Sequence, residues 1–356
     1  MKTAPFLAAA LALAASMTAY AGHYKIEVPF EARSNGEPAI LQDYDNSIDI
    51  DSVTIADQVA VFEGEIDQPI IACVKVKGKS RLGFILEPGT ITFDKDNIAV
   101  GTISNNRVRA IFDRLSVLTS EYRTAETNED RDKASKKYTA AFEKEIEENA
   151  YNIVGYYLFI NSDYIKAEAP ELRELFRKYP LIARYVRSQR LLVNAEKLEA
   201  TQPGNKFVDF EVSYNGKTKR LSDYVGKGKY VLVDFWASWC SPSIRNIREI
   251  KQIYNKYGRD KLEILGIAVW EDPEASLKAI ERYEIPWQSI VNAQYIPTDL
   301  YRITAIPCNI LFAPDGRILS RDKRGEELMA DIDSEIAKIR ITPSPSVHYQ
   351  GAPFSK

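Results

Sequence analysis

The spacing of apolar and polar residues divides the chain into regions of different predicted structure. Between residues 22 and 104, short segments rich in β-branched residues are separated by Gly, Pro and Asp. This pattern predicts strands joined by turns, and so an all-β domain built as a sandwich or a barrel-like sheet. Between residues 105 and 200 the apolar positions recur at helical spacing among many charges, which predicts a helical linker region.

Residues 201–340 combine both kinds of spacing and predict an α/β domain. The run Tyr230–Trp236 is apolar except for one acid, as expected for a strand that is buried on both faces. Residues 244–257 follow with helical spacing, and residues 262–270 form a second apolar run. We therefore expect a β-α-β unit whose two strands are parallel.

The two ends of the chain differ from the regions between them. Residues 1–21 carry Lys2, a short apolar stretch and a final small-x-small sequence, AYA, which is the pattern of a cleavable signal peptide. The apolar stretch is too short for a membrane span, and no cysteine follows it that could carry a lipid. We therefore expect export to the periplasm. Residues 341–356 contain three prolines and few apolar residues, which predicts a disordered tail.

Composition and charge exclude several classes of function. The net charge is −3, from 47 basic and 50 acidic residues, which argues against nucleic acid as the main partner. The two histidines are His23 and His348, so neither a histidine metal site nor a Ser-His triad is expected, and the sequence predicts no metal and no cofactor. The three cysteines, Cys73, Cys240 and Cys308, are too few for a disulfide framework.

Cys240 lies where the predicted buried strand ends and the predicted helix begins. A helix N-terminus offers unpaired N–H groups and a partial positive charge, and both stabilise a thiolate. Cys240 is therefore the candidate nucleophile of the chain. Cys73 lies within an apolar strand pattern and is expected to be a small buried core residue instead.

The sequence VDFWASWC, which ends at Cys240, resembles the thioredoxin superfamily and most closely its exported TlpA/ResA-like disulfide reductase branch. The resemblance implies a thioredoxin-like fold for residues 201–340 and an active-site motif W-C-x-x-C. Ser243 stands where that motif has its second cysteine, so the motif is degenerate, C-x-x-S, and the resolving thiol is absent. Residues 22–104 resemble, on short motifs, the uncharacterised β-domain that often precedes an exported thioredoxin module.

The resemblance also implies a substrate-binding surface around the cysteine. Ile306 and Pro307 occupy the place of the family's cis-proline, which faces the nucleophile and offers backbone groups to an incoming chain. Isolated X-Pro bonds are mostly trans, so the cis form is implied by the resemblance alone. Trp239 and Pro242 complete the implied substrate-binding residues.

Further positions bear on the chemistry of the cysteine. Asp234 aligns with the family's buried acid beneath the active site, where desolvation would raise its pKa, and a purely structural role is an equal alternative. Ser243 would donate a hydrogen bond to the thiolate of Cys240. Reductases of the family commonly have an acid at the position of Asn246, so the surroundings of the motif are changed as well.

Two functions follow from these residues, and the sequence leaves the choice between them open. In the first, Cys240 exchanges thiols and disulfides as a monothiol catalyst that an external thiol resolves, with Ser243 and Asp234 completing the catalytic set. In the second, the domain is a redox-inactive module that binds a protein or peptide. The expected partners are protein or peptide thiols and disulfides of the envelope, and a homodimer is an open alternative.

Cys308 allows a third arrangement. It directly follows Pro307, and strand alternation would point it into the core as a free buried thiol, which we favour. The alternative is that Cys308 supplies the missing partner and bridges Cys240, which needs Cα atoms within about 7 Å of each other. Dithiol reduction is excluded unless Cys308 or Cys73 acts as the resolving thiol.

Overall fold

The computed structural model describes residues 21–77, 79–80 and 83–339. Contacts between residues divide the chain, between positions 193 and 194 of the sequence, into an N-terminal and a C-terminal unit. The predicted signal peptide, residues 1–21, lies outside the described residues except for Ala21, and the predicted tail, residues 341–356, lies wholly outside them.

The described strands of the N-terminal unit form two sheets. These strands, β1 to β9, are Gly22–Pro29, Pro38–Asp43, Ile48–Thr54, Val59–Ile66, Ile70–Val76, Lys79–Ser80, Phe84–Leu86, Gly89–Phe93 and Ala99–Val100. One sheet has the strand order β4-β1-β8-β9, and the other has the order β3-β2-β5-β6 with β7 also paired to β5. Only the pair β1 and β8 is parallel among these ladders.

Both sheets contribute side chains to one core, including Ile26 and Phe62 from the first and Leu41 and Val74 from the second. Residues along β1 alternate between buried and more exposed positions, because successive side chains of a strand point to opposite faces. Two open sheets around a shared core form a sandwich, and the described strands close into no barrel. The all-β prediction is confirmed as a sandwich, and its barrel-like alternative is wrong.

Helices follow the sandwich, as the spacing of residues 105–200 predicts. They are α1 Ile103–Thr124, α2 Asn128–Asn149, α3 Ile153–Ile160, α4 Ala169–Lys178, α5 Pro180–Ala183 and α6 Val186–Ala200. The helix α3 is largely buried, and its Tyr156 hydroxyl donates to Asp45 Oδ1 at 2.6 Å, which ties the helix to the sandwich. Gly155 lies in the first turn of this helix, where a Cβ would lie 2.2 Å from the carbonyl oxygen of Asn149. Among the described helices, none combines the length and the apolar composition that a membrane span requires.

The C-terminal unit is an α/β structure around one five-stranded sheet. Its strands, β10 to β16, are Glu211–Tyr214, Lys217–Arg220, Tyr230–Trp236, Leu262–Ala268, Gln288–Ile290, Cys308–Phe312 and Ile318–Arg321. Its helices, α7 to α10, are Ser241–Lys261, Pro273–Arg282, Ile296–Leu300 and Gly325–Ile339. The five strands have the order β14-β13-β12-β15-β16, in which β12, β13 and β14 are parallel and β15 and β16 are antiparallel to their neighbours.

The strand β12 is the centre of this sheet, and all seven of its residues are buried. Val233 and Phe235 pack into the core on one face, and Leu232 and Trp236 pack on the other face with α7 and α10. Because both faces are covered, the strand needs apolar residues at successive positions and shows no alternation. The predicted buried strand and the parallel β-α-β unit of β12, α7 and β13 are therefore confirmed.

Candidate functional site

Cys240 lies in the turn between β12 and α7. Its N–H donates to the carbonyl oxygen of Ala237 at 3.2 Å, and its own carbonyl oxygen accepts from the N–H of Ile244 at 3.1 Å. The second bond is the first of the helix, so Cys240 occupies the position directly before the first helical residue, Ser241. The predicted placement of the cysteine at the N-terminus of a helix is confirmed, and it exposes the side chain to the free N–H groups there.

The Cys240 thiol is close to the carbonyl oxygen of Ile306, to which its Sγ donates at 3.5 Å. The following bond, Ile306–Pro307, is cis, as the resemblance implied. A thiolate has no proton to donate and is repelled by a carbonyl oxygen, so ionisation would release the sulfur from this contact. The residue is 7% exposed, whereas Cys308 is 2% exposed. The sulfur is therefore nearly covered but not sealed from solvent.

Ser243 replaces the second cysteine of the motif in the first turn of α7, where it is completely buried. Its hydroxyl has no hydrogen-bond partner among the described residues. The expected hydrogen bond from Ser243 to the sulfur of Cys240 is thus not formed while the thiol is turned toward Ile306. Leaving a buried hydroxyl unpaired costs on the order of 1–3 kcal/mol, so this position favours a ligand, a water or a moved sulfur that would satisfy it.

Asp234 lies fully buried in the middle of β12, beneath the turn that carries Cys240. Desolvation raises the pKa of its carboxyl to about 7, against the opposing effect of a hydrogen bond that Asn246 Nδ2 donates to Oδ1 at 3.0 Å. Its second oxygen, Oδ2, has no partner among the described residues. The carboxyl therefore changes its charge near neutral pH, in agreement with the expected raised pKa.

Two asparagines complete this buried polar group. Asn246 on α7 also donates to Asn309 Oδ1 at 3.1 Å, and Asn309 Nδ2 donates to the carbonyl oxygen of Lys323 at 3.0 Å. The group joins α7, β12 and β15, since Asn309 is the register partner of Asp234. The sequence singled out Asn246 only as a departure from the family pattern, and it gave no signal for Asn309.

Cys308 points into the core of the sheet, as favoured from strand alternation. Its Sγ donates to Asp322 Oδ1 at 3.0 Å, and burial together with this carboxylate raises the pKa of the Cys308 thiol well above its usual value. Neither Cys240 nor Cys308 is in a disulfide. A bridge between them would require Cys308 to give up its bond to Asp322. Cys73 is a buried residue of β5 in the other unit, as expected.

Glu271, which the sequence analysis missed, holds the turn before Cys240. Its Oε2 accepts from both the N–H and the hydroxyl of Ser238, at 2.8 and 2.5 Å, and its Oε1 accepts from the hydroxyl of Ser276 at 2.8 Å. The preceding residue, Trp270, has a φ of +59°, a left-handed conformation that is strained for a bulky side chain. The loop after β13 is therefore built to contact the cysteine turn.

Comparison with known proteins agrees with this geometry. Residues 203–321 match the model of the AhpC/TSA family, and residues 24–107 match a domain of unknown function, DUF4369. The C-terminal unit has a thioredoxin-like fold, and over residues 203–321 it is similar to the AhpC/TSA family. The matched residues begin before β10 and end with β16. They therefore include the whole five-stranded sheet, the turn of Cys240 and the cis bond at Pro307.

Individual relatives of the thioredoxin-fold domain are thiol-disulfide oxidoreductases. The chain is 29% identical over 120 residues to the ResA protein of Geobacillus thermodenitrificans, covering 33% of this chain and 68% of that protein. It is 24% identical over 151 residues to the ResA protein of Bacillus thuringiensis subsp. konkukian, covering 42% and 84%. A solved thiol-disulfide oxidoreductase from Bacteroides fragilis is 29% identical, covers 37% of this chain and 99% of its own, and has a TM-score of 0.34.

The thioredoxin-fold domain also carries exposed side chains near the cysteine. Trp239 is 62% exposed, and its Nε1 donates to the carbonyl oxygen of Trp270 at 3.4 Å. Pro242, in the first turn of α7, is exposed too. Of the residues implied as substrate-binding, these two lie on the surface, while Ile306 is partly buried and Pro307 is buried. No group of three His, Cys, Asp or Glu side chains among the described residues could hold a metal ion.

Proposed function

We propose that the thioredoxin-fold domain exchanges thiols and disulfides of proteins or peptides through Cys240 alone. The observation that carries the proposal is the position of this thiol directly before α7, together with a buried serine where the motif has its second thiol. The kinship with thiol-disulfide oxidoreductases supports the same class of chemistry. The proposal of a single active-site thiol rests on this chain's own sequence, in which Ser243 stands where the motif has its second cysteine.

The reaction proceeds as two exchange steps. The Cys240 thiolate attacks one sulfur of a substrate disulfide, a new sulfur–sulfur bond forms, and the other substrate sulfur leaves as a thiolate. An external thiolate, from a small thiol or another protein, then attacks the mixed disulfide and releases Cys240. Each step breaks one sulfur–sulfur bond and forms another, so no outside oxidant is needed. The cycle therefore reshuffles or reduces mixed disulfides without forming an intramolecular disulfide.

The proposed catalytic set gives each residue a separate part. Ser243 cannot form a disulfide, so the mixed disulfide on Cys240 persists until a second thiol arrives. Asp234, which titrates near neutral pH beneath the turn, can hold or release a proton as the sulfur changes charge. The backbone of Ile306, once freed by ionisation of the thiol, becomes available to an incoming extended chain beside Pro307, with Trp239 and Pro242 at the surface.

The proposal places this activity in the cell envelope of the organism, in the periplasm. Its support is the signal-like sequence of residues 1–21. Cell fractionation with an antibody against the C-terminal domain tests the location. Recovery of the uncleaved chain from the cytoplasm would remove this part of the proposal and leave the chemistry of Cys240 untouched.

A redox-inactive binding module is the second candidate, and one observation favours it. The Cys240 sulfur is nearly covered and is hydrogen-bonded to the carbonyl oxygen of Ile306, whereas the adjacent residue Trp239 is broadly exposed. Such a surface could bind an extended peptide without any reaction at sulfur. The two candidates differ in one respect, which is whether a covalent bond forms at Cys240.

Trapping in the native envelope separates the candidates. Cells that produce the wild-type protein, Cys240→Ala or Cys308→Ala are quenched with acid, their free thiols are alkylated, and adducts are resolved on non-reducing gels. We expect adducts with the wild type and with Cys308→Ala and none with Cys240→Ala, because the exchange uses that thiol alone. Partners that remain bound to Cys240→Ala without a covalent link, and no adducts in any strain, would favour the binding module instead.

A further inference from the structure

Aromatic and aliphatic side chains, most of them exposed, lie beside the reactive turn in a group that we call the aromatic platform. It consists of Trp239, Trp270, Tyr295 and Ile296. Trp239 is 62%, Tyr295 67% and Ile296 46% exposed, whereas Trp270 is partly buried. The Tyr295 ring lies 6.3 Å from the ring of Trp270, and the carbonyl oxygen of Trp270 accepts the hydrogen bond from Trp239 Nε1. Exposed apolar side chains that gather in one place mark binding surfaces, whereas single ones do not.

Hydrogen bonds beneath the aromatic platform hold it in place. Trp270 Nε1 donates to Thr298 Oγ1 at 3.0 Å, and the same hydroxyl donates to the carbonyl oxygen of Tyr295 at 3.2 Å. Gln294 Nε2 donates to the carbonyl oxygen of Glu271 at 2.8 Å. The indole rings of Trp239 and Trp270, each held through its Nε1, lose little conformational entropy when they bind a ligand, so this part of the surface is preorganised for an apolar partner.

On the basis of the proposed exchange at Cys240, we infer that the aromatic platform binds an aromatic or large aliphatic side chain within two residues of the reactive cysteine of an extended polypeptide substrate. It thereby selects apolar polypeptide segments over small charged disulfides. Trp239 and Tyr295 are the specificity-determining residues of this inference.

The geometry of an extended chain explains why the partner is a polypeptide. A substrate must bring a sulfur to Cys240, and Trp239 directly precedes Cys240 in the protein sequence. Consecutive Cα atoms are about 3.8 Å apart, so side chains one or two positions from a substrate cysteine reach the platform while the sulfur reacts. The four platform side chains carry no charge, so they form no ion pair with the charged groups of a small disulfide such as glutathione disulfide.

The test compares two mixed disulfides of glutathione with short peptides, one with phenylalanine after its cysteine and one with serine. The Cys240 thiolate attacks the peptide sulfur, a bond forms between Cys240 and the peptide, and glutathione leaves as its thiolate, so no net oxidation occurs. After an acid quench, the intact mass of the full-length protein measures the rate at which the peptide adduct forms. The symmetrical disulfide cystamine serves as a small reference substrate.

We expect the phenylalanine peptide to react faster than the serine peptide by about two- to twelvefold, the range that an aromatic pair contributes. Tyr295→Ser should remove most of this preference and leave the rate with cystamine unchanged. Tyr151→Ser is the matched control, because Tyr151 is also a strongly exposed tyrosine, at 76% against 67% for Tyr295, and belongs to the N-terminal unit. It should keep the preference intact.

The outcomes separate the inference from the function on which it rests. Reaction with cystamine, but equal rates for the two peptides or an undiminished preference in Tyr295→Ser, would overturn the inference and leave the exchange activity standing. Absence of any adduct at Cys240 with all three disulfides would overturn the proposed function, and the inference with it.

Discussion

Replacing Asp234 by asparagine removes a charge that the fold has to accommodate without a compensating cation. The carboxyl is fully buried in β12, one of its oxygens has no partner among the described residues, and the other accepts from the amide of Asn246. Asparagine has nearly the same shape and can keep the bond from Asn246 through its own carbonyl oxygen. The substitution therefore isolates the cost of ionising this buried group.

The size of the effect follows from the pKa of Asp234, which burial raises from 3.8 to about 7. Well below pH 4 the carboxyl is protonated in both the folded and the unfolded state, and its contribution to folding is fully present. Between those two pKa values the unfolded state loses its proton first, so the stability of the wild type falls as pH rises and levels off above pH 7. A difference of about 3 pKa units, at about 1.4 kcal/mol per unit, corresponds to about 4 kcal/mol.

Urea unfolding followed by tryptophan fluorescence measures this effect. All four tryptophans, Trp236, Trp239, Trp270 and Trp287, belong to the thioredoxin-fold domain, so the signal reports on that domain within the full chain. We expect Asp234→Asn to be more stable than the wild type by about 4 kcal/mol at pH 8 and by about 2 kcal/mol at pH 5.

The control for this experiment is Asp299→Asn, at an acid whose side chain is 69% exposed and whose change should alter stability little at either pH. A variant Asp234→Asn that is no more stable than the wild type at pH 8 would refute the reasoning. So would a gain that is the same at pH 5 and pH 8, because it would not arise from ionisation.

Three further predictions concern the cysteine turn and its supports. Ser243→Cys, at the buried position three residues after Cys240, should restore a dithiol motif, and titration of free thiols after mild oxidation should show the loss of two thiols rather than none. Glu271→Ala removes the acceptor of three hydrogen bonds and should destabilise the domain by about 1–3 kcal/mol in the fluorescence assay, more than Ser276→Ala, which leaves the bonds to the turn intact. Alkylation of the native protein at pH 8 should modify Cys240 and spare Cys308, because burial and a neighbouring carboxylate raise the pKa of the latter; equal modification of both would contradict this.

The central strand and the cysteine turn could be predicted because their signals are local. Seven successive buried positions of β12 demand an apolar run, and the helical spacing after Ser243 defines the start of α7 within a few residues. The position of Cys240 follows from these two elements alone. The cis bond at Pro307 could be expected only from family resemblance, since an X-Pro sequence does not determine its isomer.

The polar supports of the site could not be predicted because they depend on distant pairings. Asn309 meets Asp234 through the register of β15 on β12, and Asn246 joins them through the rotation of α7 over the sheet. Glu271 reaches the turn only through the conformation of the loop after β13, which includes the unusual φ of Trp270. A single sequence carries no local signal for such contacts.

For the N-terminal domain, the sequence could predict the strands but not how the sheets are arranged. Its strands were predictable from β-branched segments and turn residues, but an alternating pattern is the same in a sandwich and in a barrel. Whether the strands form a sandwich or a barrel depends on which strands pair. One of these pairings, the parallel pair of β1 and β8, joins strands that lie more than sixty residues apart in the chain.

The persistence of a mixed disulfide on the purified protein tests the monothiol claim most directly. The full-length wild type is treated with excess cystamine, freed of reagent, and followed by intact mass and peptide mapping without added thiol. We predict one cysteamine adduct, on Cys240, that stays unchanged until a small thiol is added and then disappears. Spontaneous loss of the adduct with formation of a Cys240–Cys308 disulfide, or no adduct on Cys240 at all, would contradict the account.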